Sequence, residues 1–160
     1  MSFNHFDSQG QAIMVDVSAK EPTLRRAVAT ATIRMSPDTL TAILEGRTAK
    51  GDVLGVARIA GITAVKNTPD LIPLSHPLAI HAVSVDFKPD QNKGEIVVQC
   101  SVTAFERTGV EMEAMVGTSI AALTVYDMCK GSEKGISISD IALLYKEGGK
   151  SGTYKREEQS

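Results

Sequence analysis

The stretch IHAVSVDFKPDQNKGEIVVQCSVTAF, residues 80–105, decides the fold. Val83, Val85 and Phe87 fall on alternate positions, and so do Ile96, Val98, Cys100, Val102 and Ala104. Period-two alternation puts each set on one face of a strand. Pro89-Asp-Gln-Asn-Lys-Gly94 between them is rich in turn formers, so the spacing predicts strands over 80–87 and 95–105 joined as a hairpin. What flanks this hairpin then fixes the class.

Upstream, residues 25–34 alternate with Ala27, Ala29, Ala31 and Ile33 on one face. That face is made of small residues and lets a helix approach closely. Ser36-Pro37 reads as an N-cap followed by proline at the first helical position. A short helix should follow to about Glu45, stopped by Gly46. A second helix is expected from Asp52 to about Asn67, ending before Pro69. Gly55 and Gly61 inside it cost about 1 kcal/mol each relative to Ala, and close packing is the expected compensation.

Downstream, a long helix should run from about Glu111 to Lys130. Its apolar residues, Met115, Val116, Ile120, Leu123, Val125 and Met128, occupy nearly its whole circumference. A helix apolar all round is buried on several sides, which in a chain this small suggests a subunit interface. A last strand is expected over about 136–146, with the alternation slipping near Ser139-Asp140 as a bulge. The order strand, helix pair, strand, strand, helix, strand is the split βαβ pattern. The predicted class is α+β: a ferredoxin-like α/β sandwich, an antiparallel sheet with helices packed on one face.

At 160 residues the chain is read as one domain, 1–160, long enough for a real core. Residues 1–24 read as a polar arm and 148–160 as a flexible tail. Aromatics are 4% with no Trp, so the core must be aliphatic. A net charge of −2 gives no electrostatic footprint for nucleic acid. No apolar run approaches 18 residues, so no membrane helix is expected. The N-terminus lacks a basic n-region and an apolar h-region, and the two cysteines read as reduced thiols. A cytoplasmic location is the expectation.

Three segments carry the chemistry. In Leu71-Ile-Pro-Leu-Ser-His-Pro-Leu78, prolines 73 and 77 stiffen the backbone around His76. A histidine on a rigid loop suits proton transfer, though a structural hydrogen bond would explain it equally. His81 is read as a core or edge histidine. Glu111 and Glu113 open the long helix, where carboxylates suit the helix dipole. Glu113 lies between Met112 and Met115, and desolvation there should raise its pKa. Asp127 and Lys130 lie at i and i+3 near the other end, so their side chains are neighbours. Asp127 sits between Tyr126 and Met128 on a helix read as buried, which favours a functional role over a surface ion pair.

Fourteen residues separate Glu113 from Asp127. That is about 21 Å along a helix. If both belong to one compact site, a second subunit must supply one of them. Gly148-Gly-Lys-Ser-Gly152 fails as a P-loop, since Leu144 stands where the leading glycine belongs and no helix pattern follows. It reads as a lid or an anion-contacting tail. His5, His76 and His81 lack ligand spacing, so no fixed metal site is expected.

With these segments in hand, the chain resembles the molybdenum cofactor biosynthesis protein C family, the cyclic pyranopterin monophosphate synthases. The resemblance covers nearly the whole chain. It includes Met14-Val-Asp-Val-Ser-Ala-Lys20, Lys50-Gly-Asp-Val53, Ala57-Arg-Ile-Ala-Gly61, Leu71–Leu78, Thr108–Ala114, Ala121–Lys130 and Gly148–Gly152. One departure is Ser75, where the family usually has Cys.

The resemblance implies a lyase acting on (8S)-3′,8-cyclo-7,8-dihydroguanosine 5′-triphosphate, a cyclic dihydro-GTP. It implies a homohexamer, a trimer of dimers with the site at the dimer interface. It implies Asp127 as principal acid/base, with Lys130 setting its ionisation and helping in proton transfer, and Lys50 as a further catalytic residue that meets charge building up in the transition state. It also implies substrate contacts from Leu74, Ser75, His76, Met112 and Glu113. Lys50, Lys146 and Arg25 are then the candidates for the triphosphate. No cofactor is expected, and Mg²⁺ would accompany the triphosphate without a dedicated site. The rival classes are a domain that binds a nucleotide or pterin without turnover, and a structural oligomerisation module.

Overall fold

The computed structural model describes residues 5–157. Positions 1–4 of the expected arm and 158–160 of the expected tail lie outside the described residues. The elements are β1 (Thr23–Arg34), α1 (Pro37–Leu44), α2 (Val53–Lys66), α3 (Thr68–Leu71), β2 (Ile80–Asp90), β3 (Glu95–Glu106), α4 (Glu111–Cys129), β4 (Ser137–Glu147) and β5 (Tyr154–Lys155). The sheet order is β2-β3-β1-β4-β5, and every neighbouring pair is antiparallel. The helices cover one face: α4 packs on β1, β3 and β4, and α2 packs on α4 and β2. This is the expected ferredoxin-like α+β arrangement, extended by a fifth strand.

The small-residue face of β1 explains how the helices seat. Ala27, Ala29, Ala31 and Ile33 are wholly buried, and so are Ile96, Val98, Cys100, Val102 and Ala104 of β3. The core is aliphatic, as the composition requires. Each fully buried Val, Ile or Leu contributes about 1.5–3 kcal/mol relative to exposure.

The α2–α4 crossing is closer still. A Cβ on Gly61 would lie 3.0 Å from the Gly117 carbonyl oxygen, and a Cβ on Gly117 would lie 2.6 Å from Val65 Cγ2 and 2.8 Å from Cys100 Sγ. Gly61 is therefore a packing glycine. Gly55 is not. Its N–H donates to the N-cap carboxylate of Asp52 at 2.9 Å, and a Cβ there would collide with that carboxylate.

The start of α1 is capped as its sequence suggests. Ser36 Oγ accepts from the Thr39 N–H at 3.3 Å. The carboxylate of Glu133 in turn accepts from the Ser36 N–H at 3.1 Å and from its hydroxyl at 2.8 Å.

Five local features bear on the sequence reading, one as expected and four as differences or additions. Pro69 ends α2 but also lies in the single turn of α3, where a proline near the N-terminus removes no needed donor. The expected bulge in β4 is present: Asp140 has φ +55°, and the register against β1 slips between Thr30 and Thr32. A second slip, between Val28 and Ala29, leaves Leu144 as an extra residue. In β2 the register slips between Ile80 and Ala82, so His81 is bulged and exposed, with Nδ1 accepting from the Phe105 N–H at 3.3 Å. The segment read as a flexible tail carries β5, which pairs Tyr154 with Lys146 and Lys155 with Tyr145.

Candidate active site

The candidate residues gather at the two ends of α4. At its first turn, Leu74, Ser75, His76, Met112 and Glu113 line a cleft of about 870 Å³. The arm roofs this cleft with Val15, Val17 and Lys20. His76 Nε2 lies 2.8 Å from the Val15 carbonyl oxygen, so as donor it ties the arm to the proline-stiffened loop. The structural hydrogen bond weighed for His76 is therefore present, and the ring still faces the cleft.

Glu113 is 2% exposed, and its Oε1 has no hydrogen-bond partner among the described residues. Burial pushes its pKa up to about 7, and the neighbouring Glu111 carboxylate pushes in the same direction. A carboxyl that exchanges a proton near neutrality fits general acid/base work. The desolvation read from Met112 and Met115 is thus observed.

At the last turn, Lys130 Nζ lies 2.6 Å from Asp127 Oδ1. Lys50, on the loop before α2, donates from Nζ to the Asp127 carbonyl oxygen at 2.9 Å and to Oδ2 at 3.3 Å. The Lys130 and Lys50 hydrogen bonds hold the Asp127 carboxyl below its usual range, and Asp127 raises the Lys130 ammonium. The result is an ionised carboxylate between two charged lysines.

The expected burial of Asp127 is not found: its side chain is 56% exposed. Val125 and Cys129 on either side are buried. At about 100° per residue, Asp127 points roughly 160° away from each of them, out from the sheet. Within one chain the triad is therefore open to solvent. Lys50 also edges a second cleft, of about 910 Å³, bounded by Arg47, Cys129 and Glu133.

Among the described residues, none lines both clefts. Glu113 and Asp127 of one chain do not share a cavity, in keeping with the reach of the helix between them.

Two basic candidates sit at the Glu113 end of the sheet. Lys146 pairs with Ala27 in the β1–β4 register, which places it on the helix-facing side, and its ammonium donates to Ser151 Oγ. Arg25, expected as a triphosphate contact, is 9% exposed and bonded to two main-chain carbonyls. The sequence reading missed the roof over the cleft. Its anchor is a backbone carbonyl, which leaves no side-chain signature, although Lys20 ends the Met14–Lys20 segment that carries part of the family resemblance.

A buried carboxyl near neutrality, a loop histidine over a cleft and a lysine-flanked carboxylate, on an α+β scaffold, are groups suited to proton transfer, and the class they fit is a small-molecule enzyme. Comparison with known proteins narrows this class. The family model described as the MoaC family matches residues 14–149. The chain is 72% identical to the cyclic pyranopterin monophosphate synthase of Geotalea uraniireducens, over 99% of each chain. It is 70% identical to that of Pelobacter propionicus and 69% identical to that of Geobacter sulfurreducens, again over 99% of each. The chain belongs to the MoaC family.

Proposed function

We propose that this chain is a cyclic pyranopterin monophosphate synthase. It is a lyase that converts (8S)-3′,8-cyclo-7,8-dihydroguanosine 5′-triphosphate to cyclic pyranopterin monophosphate, with release of diphosphate, in molybdenum cofactor biosynthesis. The observation that carries this is the end-to-end match, 72% identity over 99% of both chains, to a relative with that name.

The chemistry follows from the residues. The purine-derived ring must open and reclose as a pyranopterin, which needs several proton transfers. Asp127 enters the reaction ionised and is the acceptor, and Lys130 is the adjacent charged donor. Glu113 is the group that titrates near neutrality, and with Leu74, Ser75, His76 and Met112 it forms the pocket for the ring system. Closing the phosphate into a cyclic ester expels diphosphate, and positive charge must meet that leaving group. Lys50, Lys130 and Lys146 supply it. Magnesium enters this reading as a companion of the triphosphate and not as a fixed site.

The complete site is formed between two chains, the Glu113 end of one α4 meeting the Asp127 end of another. Two observations support this: the separate clefts, and a last turn that exposes Asp127 and both lysines. The assembly proposed is a homohexamer, a trimer of dimers, in the cytoplasm. No helix among the described residues is long and apolar enough to cross a membrane.

The test is to incubate the purified protein with the cyclic dihydro-GTP without oxygen and assay diphosphate and the pterin product. Formation of both, lost in Asp127→Ala, is expected. Tight binding without turnover would replace the synthase reading with that of a ligand-binding domain.

A further inference from the structure

We propose that Arg25 is a positioning residue for the cleft at the first turn of α4, and not itself a contact for the polyphosphate. Its side chain leaves β1 on the same face as the buried Ala27 and is almost wholly covered. Nε donates to the Glu106 carbonyl at 3.0 Å, and Nη2 donates to the Arg107 carbonyl at 3.1 Å. Those carbonyls belong to the end of β3 and to the loop that leads through Thr108 and Gly109 into α4.

The β4–β5 loop closes over the other side of the guanidinium. A Cβ on Gly149 would collide with Nη1, and a Cβ on Gly148 would lie 3.1 Å from Cδ. Gly148 and Gly149 have positive φ, +97° and +74° respectively, so the bare backbone lies against the planar group. Arg25 thus clasps β1, the β3–α4 loop and the β4–β5 loop at one point.

A guanidinium suits this task because its donors are fixed in one plane and can hold two carbonyls at once, whereas an ammonium presents a single centre. What the clasp holds is the approach to Glu111, Met112 and Glu113, which line the cleft. Small displacements of reacting groups cost rate steeply, roughly 10²-fold for about 1 Å.

The kinetic arm of the test rests on the synthase reading above, and the exchange arm rests on geometry alone. Arg25→Lys keeps the charge and removes the fork. The expected result is a kcat lower by roughly 10- to 100-fold. Inhibition by added diphosphate should stay within about twofold of the parent, since no phosphate contact is removed. Backbone amide exchange over 106–113 and 148–152 should accelerate.

Gly149→Ala leaves Arg25 in place and drives a methyl group into the guanidinium, so it should reproduce both the loss of kcat and the faster exchange. This second variant decides the matter if Arg25→Lys does not fold. Unchanged exchange together with weakened diphosphate inhibition would overturn the clasp in favour of a direct polyphosphate contact. Full kcat in Gly149→Ala would overturn it as well. If the parent shows no turnover while both variants exchange faster, the clasp stands and the synthase reading falls.

Discussion

Lys50 and Asp127, 77 residues apart, are joined twice: the lysine Nζ donates to the aspartate's carbonyl oxygen at 2.9 Å and to its carboxylate at 3.3 Å. The contact ties the loop before α2 to the last turn of α4. It also leaves the carboxylate between two cations, since Lys130 closes on the other oxygen at 2.6 Å.

Removing that carboxylate should abolish chemistry and spare the fold. Asp127 is exposed and its neighbours in the core do not depend on it. Asp127→Ala is expected to lower kcat by roughly 10²–10⁴-fold, the usual worth of a positioned acid or base. Thermal unfolding should stay close to the parent's. Near-normal turnover in this variant would remove Asp127 from the mechanism.

Two inactive variants should rescue one another if sites are shared between chains. In a co-refolded equal mixture of Asp127→Ala and Glu113→Gln, mixed pairs carry one intact site each. Random pairing then restores about a quarter of parental sites. Activity no higher than the sum of the separate variants would show that each site lies within a single chain.

Glu113 makes stability depend on pH. Its carboxyl titrates near 7 in the folded chain and near its ordinary value, 4.5, when unfolded. Between those values the folded state binds the proton and the unfolded state does not, so stability falls as pH rises from about 4.5 to 7. Full burial of the group sets the scale at up to about 3 kcal/mol. Glu113→Gln should remove the loss, so the variant should gain on the parent in urea unfolding at pH 8 relative to pH 5. A constant difference between the two proteins across that range would contradict the shift.

Gly117 should tolerate no side chain. Alanine there would gain about 1 kcal/mol of helix propensity. Against this, its Cβ would press on Val65 and Cys100, and overpacking of this kind costs about 1–3 kcal/mol. A lower midpoint in thermal unfolding is expected for Gly117→Ala, and a raised one would show that the helices can separate at no cost.

The sheet was legible because its signals are local. The alternation at Val83, Val85 and Phe87 and again at Ile96 to Ala104 gave the hairpin, and the small face of β1 gave the helix seat. Other features depend on distant partners and leave weak local traces. Gly55 is the exception: its partner is local, the N-cap carboxylate of Asp52 three residues before it, and the cap accounts for the glycine where packing does not. Leu144 and His81 are bulged by mismatches with strands far away in sequence. Asp127 looked buried because its neighbours are apolar, yet the last turn of α4 turns it outward. The pairing of Lys50 with Asp127 and the tie from His76 to Val15 join segments that no spacing rule connects.

The two slips in β4 have a consequence for parity. Each extra residue exchanges the inward and outward sides of the strand beyond it. The slip at Asp140 reverses the alternation and the one at Leu144 reverses it back, so Lys146 ends beside Ala27 on the helix-covered side. Closing the slip at Leu144 with every residue kept would set Lys146 opposite Arg26 and turn it to the bare side of the sheet. Closing both slips with every residue kept would leave it inward but carry it one side-chain repeat further along β1, level with Arg25. The strand thus counts in twos: the loss of one slip is an inversion, and the loss of both is a translation.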